Sequence, residues 1–238
     1  MWQNSCITID MILKTFRGDK PQQYNSKNCI KKFLYYFPKG FTDPKYLNWE
    51  RNYKWDAHLS WEEQLSKPLF AKLLLQKRYS EICQAAIKIE SKTNLLFSFE
   101  KMALRDAVKG DGAKSMAIGL FDYLYSKDDP SKRFMGFVNI LATLPRRQTR
   151  VLTWPLQTVF GFIASPGDHI FLKPKVTKVA AVKYGYDLMY ESGPKWRVYE
   201  NALKFAYKIR EDTRSLKPRD MIDLQSFIWV LGSEEYPD

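Results

Sequence analysis

Apolar residues recur every three to four positions along most of this chain, the spacing of amphipathic helices. Residues 1 to 28 are polar and weakly periodic, an irregular arm with one short strand or helix near Ile7–Phe16. The spacing of Cys29, Ile30, Phe33, Leu34 and Phe37 then predicts a helix over 28–37, and Pro38, Gly40 and Pro44 punctuate the chain after it. Between Pro44 and Trp61, Trp49, Tyr53, Asp56 and Ser60 share one helical face and Trp55, Leu59 and Glu62 another. Ser60 with Glu63 has capping-box spacing, which predicts a new helix from Trp61 to Gln76. Helical spacing returns over 79–89, and Asn94 is a candidate cap for a helix over 95–109.

Gly110-Asp111-Gly112 stops that helix, and further helices are expected over 113–125, from Pro130 through Leu141, and over 149–164. Residues His169–Leu172 form the one stretch that reads as extended. Pro174 suits a helix start, as do Pro194 and Pro218. From Met221 to Trp229 the chain is almost continuously apolar, which marks a buried helix that Gly232 ends before an acidic tail. The predicted fold class is all-α, about ten helices. Residues 1–43 are expected to form an arm and first helix, and 44–238 one globular domain.

Composition narrows the function classes. No apolar run reaches the roughly 18 residues of a membrane span, and the opening residues lack signal-peptide order, so a cytoplasmic protein without a membrane partner is expected. Cys6, Cys29 and Cys83 are few and scattered, as in a reducing compartment. His58 and His169 lie far apart, with no Cys-x-x-Cys, so neither a metal nor a cofactor is expected, and no hydrolase triad has the right spacing. The net charge of +12 favours a polyanion, DNA first and RNA second.

That charge coincides with turn chemistry between Leu144 and Lys178. Arg146, Arg147, Arg150, Lys173, Lys175 and Lys178 are opposed there by Asp168 alone. The turn Leu144-Pro145-Arg146-Arg147-Gln148-Thr149-Arg150 leads into an apolar helix, whose first N–H groups attract phosphate with the arginines' help. Lys173 sits where a helix begins, a place that disfavours cations. Two functional uses follow: gripping a phosphate, or acting as an amine nucleophile if its pKa is lowered. The alternatives are solvent exposure or a pair with Asp168 or Asp187.

These residues resemble the helix-hairpin-helix DNA glycosylase superfamily. Leu144-Pro145 matches the start of its hairpin, Leu172-Lys173-Pro174-Lys175-Val176-Thr177-Lys178-Val179 its second motif, and Tyr184-Gly185 that motif's Leu-Gly end. Arg146 and Gln148 stand where the hairpin has glycines, and Lys173 where the family has its catalytic aspartate. The resemblance implies a glycosylase-like core at 140–185, DNA binding, a role in DNA repair, and base-excision or lyase chemistry through Lys173 with Asp168 as a candidate acid. The DNA-binding residues would be Arg146, Arg147, Gln148, Arg150, Lys173, Lys175 and Lys178.

Other candidates lie outside that segment. Trp49, Tyr53 and Trp55, interleaved with Lys45, Arg51 and Lys54, are candidate base-stacking residues. Asp223 and Gln225 enter a very apolar helix and need polar partners. Glu100 reads equally as inward or outward, and Arg105 with Asp106 as an ordinary ion pair. Two further functions stay open: a noncatalytic adaptor for an acidic partner, and an enzyme acting on a small anion in a pocket of Lys173, Asp168 and Trp154.

Overall fold

Proline and short polar side chains decide where the helices begin. The computed structural model describes residues 26–145 and 150–238, and its eleven helices carry no strand between them among the described residues. They are α1 (Ser26–Tyr36), α2 (Asn52–Leu65), α3 (Lys67–Leu75), α4 (Tyr79–Ser91), α5 (Ser98–Ala107), α6 (Gly112–Tyr125), α7 (Pro130–Thr143), α8 (Trp154–Ala164), α9 (Pro174–Tyr184), α10 (Trp196–Asp212) and α11 (Met221–Gly232). A turn at Pro44–Tyr46 and a π turn at Leu47–Arg51 lead into α2. Asp43, Asp129, Thr153 and Asp220 accept hydrogen bonds from first-turn N–H groups of the turns and helices they open.

Three boundaries differ from expectation. Helix α2 runs through Trp61 without a break and ends before Ser66-Lys67-Pro68, because Pro68 lacks the N–H that a continuing helix needs. Helix α5 starts at Ser98 rather than Leu95. There the Leu95 N–H is taken by Thr93 Oγ1 at 3.3 Å, and Glu100 reaches back to the Phe97 N–H at 2.9 Å. Helix α8 starts at Trp154 rather than Thr149, where Thr153 caps it and Pro155 fits the first turn.

Two helices form the centre. Every residue of α8 is buried, and it packs against α2, α4, α6 and α7. Helix α11 buries all but Trp229 and Gly232, and it packs against α1, α9 and α10. The α9–α11 approach is close: a Cβ on Gly232 would stand 2.1 Å from the Val176 carbonyl oxygen. The π turn before α2 touches α11 while the body of α2 lies on α8, so one segment joins both centres. Helix α1 belongs to this core, its Phe33 ring 5.1 Å from that of Phe227.

The segment His169–Leu172 is extended but pairs with no strand. Its N–H groups are met by side chains instead, Ile170 by Tyr199 Oη at 3.1 Å and Leu172 by Thr158 Oγ1 at 3.1 Å. The acidic segment after α11 folds back over the molecule, with Tyr236 buried and its hydroxyl on Glu50 at 2.6 Å. Among the described residues no helix is long and apolar enough to cross a membrane, and no cluster of His, Cys, Asp and Glu could hold a metal ion.

Candidate nucleic-acid interface

Three chain segments meet at Gly112. A Cβ there would lie 1.9 Å from the carbonyl oxygen of Ala107, the end of α5, and 3.2 Å from Cδ of Pro145, the turn after α7. On the ends of α5 and α6 at this junction Arg105, Lys109 and Lys114 are exposed, with Lys109 bound to Asp106 at 2.7 Å, and Arg150, further along the chain, is exposed too. Arg146, Arg147 and Gln148 lie outside the described residues. Sequence spacing could not show that Gly112 and Pro145 meet, because the contact is tertiary.

Lys173 takes another direction. Its side chain is buried, and Nζ donates to the Leu95 carbonyl at 3.0 Å and lies 3.4 Å from Glu100 Oε2. The ring of Phe97 covers the ammonium, its centroid 3.5 Å away. Burial pulls the lysine pKa below its ordinary value, against the opposing pull of Glu100. The neighbouring Glu90 is also buried, its pKa raised by burial, with Lys101 Nζ at 3.5 Å. So the carboxylate that Lys173 meets is Glu100, which points inward, and not Asp168 or Asp187.

The other two lysines of α9 face elsewhere. Lys175 pairs with Glu234 at 2.6 Å, and Lys178 lies over the Tyr190 ring at 4.8 Å. Asp168 is exposed and accepts from Ser165 Oγ at 2.9 Å, which closes the turn after α8. Trp154 is buried and donates from its indole to the Glu191 carbonyl at 3.0 Å. The structure therefore does not bring Lys173, Lys175 and Lys178 to one anion seat, nor Lys173, Asp168 and Trp154 to one pocket. Two surface cavities, of about 450 Å³ between α6 and α7 and about 580 Å³ beside α1, are lined by other residues.

Of the aromatic candidates, Trp49 is 52% exposed with Lys45 Nζ 4.3 Å from its ring. Tyr53 and Trp55 are half-buried and already engaged. Lys54 lies 5.3 Å from the Tyr53 ring, and Arg51 5.1 Å from that of Trp55, which also meets the His58 ring at 5.0 Å.

The densest polar constellation is internal. Asp223, fully buried, accepts from Tyr46 Oη at 2.6 Å, from Arg51 Nη1 at 2.9 Å and from Arg219 Nε at 2.8 Å. Asp220 holds the other side of Arg51 at 2.7 Å. One layer deeper, Lys54 bonds Glu50 at 3.1 Å and Ser226 at 2.8 Å. Burial opposes the Lys54 charge, but Tyr53 and Glu50 outweigh it and keep its pKa above the ordinary value. The sequence signal for this network was Asp223 within an apolar helix, while its partners Tyr46 and Arg51 lie over 170 residues away. Gln225, suspected of the same need, keeps its Oε1 without a hydrogen-bond partner.

His169 stands apart from both. Its Nδ1 lies 3.1 Å from Tyr123 Oη and 3.2 Å from Tyr199 Oη. Burial, with help from Arg133, lowers its pKa to about 4, which keeps the ring neutral. No family model matches this chain, and no curated protein or solved structure matches it either.

Proposed function

We propose that the chain binds nucleic acid, duplex DNA first, at the corner where α5, α6 and the α7–α8 turn meet. The observation that carries this reading is the junction at Gly112, where Pro145 meets the ends of α5 and α6, which bear exposed Arg105, Lys109 and Lys114; in sequence Pro145 is followed by Arg146, Arg147 and Arg150. Charge partition supports it. The buried carboxylates Glu50, Glu90, Glu100 and Asp223 each hold a cation of the fold, so the core is near neutral and the excess of +12 lies outside it. Phosphate backbones are recognised by cations displayed on the surface.

The inward placement of Lys173 favours recognition without base removal. An amine nucleophile must reach a sugar carbon, and this one faces a carbonyl, a carboxylate and a ring. The glycosylase likeness then bears on DNA binding rather than on excision.

The test is fluorescence anisotropy with a labelled blunt duplex carrying 5′-hydroxyl ends, across a salt series. Lys114→Gln and Arg150→Gln are each expected to weaken binding and to lower the salt slope by about 0.9. Unchanged affinity and slope in the double variant would overturn the reading. Equal competition by polyglutamate would move it to an acidic protein partner.

A further inference from the structure

Two phenyl rings at the start of α5 stand in water. The buried line of this helix is Glu100, Ala103, Leu104 and Ala107. Phe99 and Met102 fall off that line and are 47% and 50% exposed. Phe97, one residue ahead of the helix, is 54% exposed and stacks on Phe99 with ring centroids 5.6 Å apart. Single exposed apolar side chains are ordinary, but neighbours that join into one patch mark a binding surface.

The fold fixes this pair in place. The Phe97 N–H donates to Glu100 Oε2 at 2.9 Å, and its carbonyl accepts from the Lys101 N–H at 3.0 Å. The Phe97 ring is seated on the buried Lys173 ammonium, 3.5 Å from its centroid. The lysine that looked misplaced at the start of α9 thus holds a ring that stays half in water. A platform ordered beforehand leaves little further entropy for a ligand to overcome.

Charge around the rings identifies the occupant. Glu90 and Glu100, the acids of residues 82–105, are buried, and Lys101 and Lys173 match them one to one. The charged side chains that this stretch exposes are Lys88, Lys92 and Arg105, all cations. Lys88 and Lys92 lie four residues apart at the end of α4, and Phe97 follows five residues later. Arg105 lies three residues beyond Met102, next to it on the surface of α5. The rings are therefore bracketed by cations in both chain directions. An apolar protein partner gains nothing from such a frame. A single-stranded nucleic acid supplies flat bases for the rings and phosphates for the cations, whereas a blunt duplex keeps its bases stacked inside.

We infer that Phe97 and Phe99 stack the unpaired bases of a single-stranded nucleic acid whose phosphates meet Lys92 and Arg105. This rests on the nucleic-acid reading above and adds the kind of strand: unpaired bases at the start of α5, duplex at the Gly112 corner where α5 ends. The test is anisotropy with a labelled single strand of about 12 nucleotides, against a strand of equal length whose central nucleotides are abasic but keep their phosphates. Wild type is expected to bind the base-bearing strand about tenfold more tightly. Phe99→Leu, apolar but without a ring, should lose that preference at an unchanged melting temperature, and Phe99→Trp should keep it. Lys92→Gln should weaken both strands alike and lower the salt slope by about 0.7. The proposal is overturned if wild type binds neither strand or both equally, if Phe99→Leu keeps the preference, or if Lys92→Gln binds like wild type. A dimer in sedimentation that Phe99→Leu dissociates would also overturn it and give the patch to a second copy of the chain. The blunt duplex with Lys114→Gln and Arg150→Gln reads the corner without unpaired bases, so the two proposals fail separately.

Discussion

Lys173 Nζ lies 3.4 Å from Glu100 Oε2, and the same carboxylate oxygen accepts the Phe97 N–H at 2.9 Å. One acid thus fastens the start of α5 and, 73 residues on, the start of α9. Removing one member of a buried pair leaves the other charge unmatched, which costs roughly 3–5 kcal/mol. Lys173→Ala is expected at that level in urea unfolding. Lys173→Met combined with Glu100→Gln should recover much of the loss, because no net charge then stays buried. A double variant no better than Lys173→Ala would show that the pair is not the cause.

The same geometry forecasts a chemical result. Borohydride reduction in the presence of abasic DNA should trap no adduct at Lys173. The amine is covered by the Phe97 ring and directed at the Leu95 carbonyl. A trapped peptide containing Lys173, identified by mass spectrometry, would require that this corner opens and would restore the lyase expectation.

What the sequence disclosed follows from the range of each interaction. The Met221–Trp229 run announced a buried helix, and prolines such as Pro130 and Pro174 announced helix starts, because both depend on near neighbours. Lys173 was legible as an anomaly, a cation at a helix N-terminus with no side-chain cap. Which acid resolves the anomaly was not legible, since Glu100 meets it only after α5 and α9 pack. The same limit hid the approach of Pro145 to the α5–α6 junction at Gly112. Ser60 and Glu63 showed the opposite failure: a sound local capping signal was overridden by Trp61, whose complete burial keeps α2 continuous there.

Asp223 should be the most sensitive acid of the fold. It is fully buried and receives Tyr46, Arg51 and Arg219, whereas Asp220 is more exposed and caps α11. Asp223→Ala is expected to cost about 3–5 kcal/mol by stranding Arg51. Asp220→Ala should cost less, on the order of 1–2 kcal/mol, for a lost cap and one arm of the guanidinium pair. Equal losses in denaturant unfolding would contradict this ranking.

His169 sets a direction for acid sensitivity. Its folded pKa of about 4 lies below the unfolded value of 6.5, so the unfolded chain binds the extra proton between those pH values. Stability from this group is therefore full above about pH 6.5 and drains away as pH falls toward 4, up to about 3 kcal/mol. His169→Asn keeps a polar group near Tyr123 and Tyr199 but cannot titrate. Its melting temperature should fall less than that of the wild type between pH 7 and pH 4.5. Parallel curves would show that other groups carry the acid response.

Gly112 links stability to the proposed interface. A methyl group at this position would stand 1.9 Å from the Ala107 carbonyl oxygen, a backbone atom that cannot swing away like a side-chain tip. To admit it, the ends of α5 and α6 must separate, and Pro145, 3.2 Å away, must shift as well. Gly112→Ala is expected to destabilise by roughly 1–3 kcal/mol, the range for overpacking a filled contact. If the corner binds duplex DNA, the same variant should weaken that binding at temperatures where it is still folded, with no charge removed. Gly136→Ala, inside α7 where a Cβ meets nothing within 4 Å, serves as the control: helix propensity should stabilise it by up to about 1 kcal/mol, and duplex binding should not change. A folded Gly112→Ala protein with wild-type duplex affinity and salt slope would separate the junction from the binding surface.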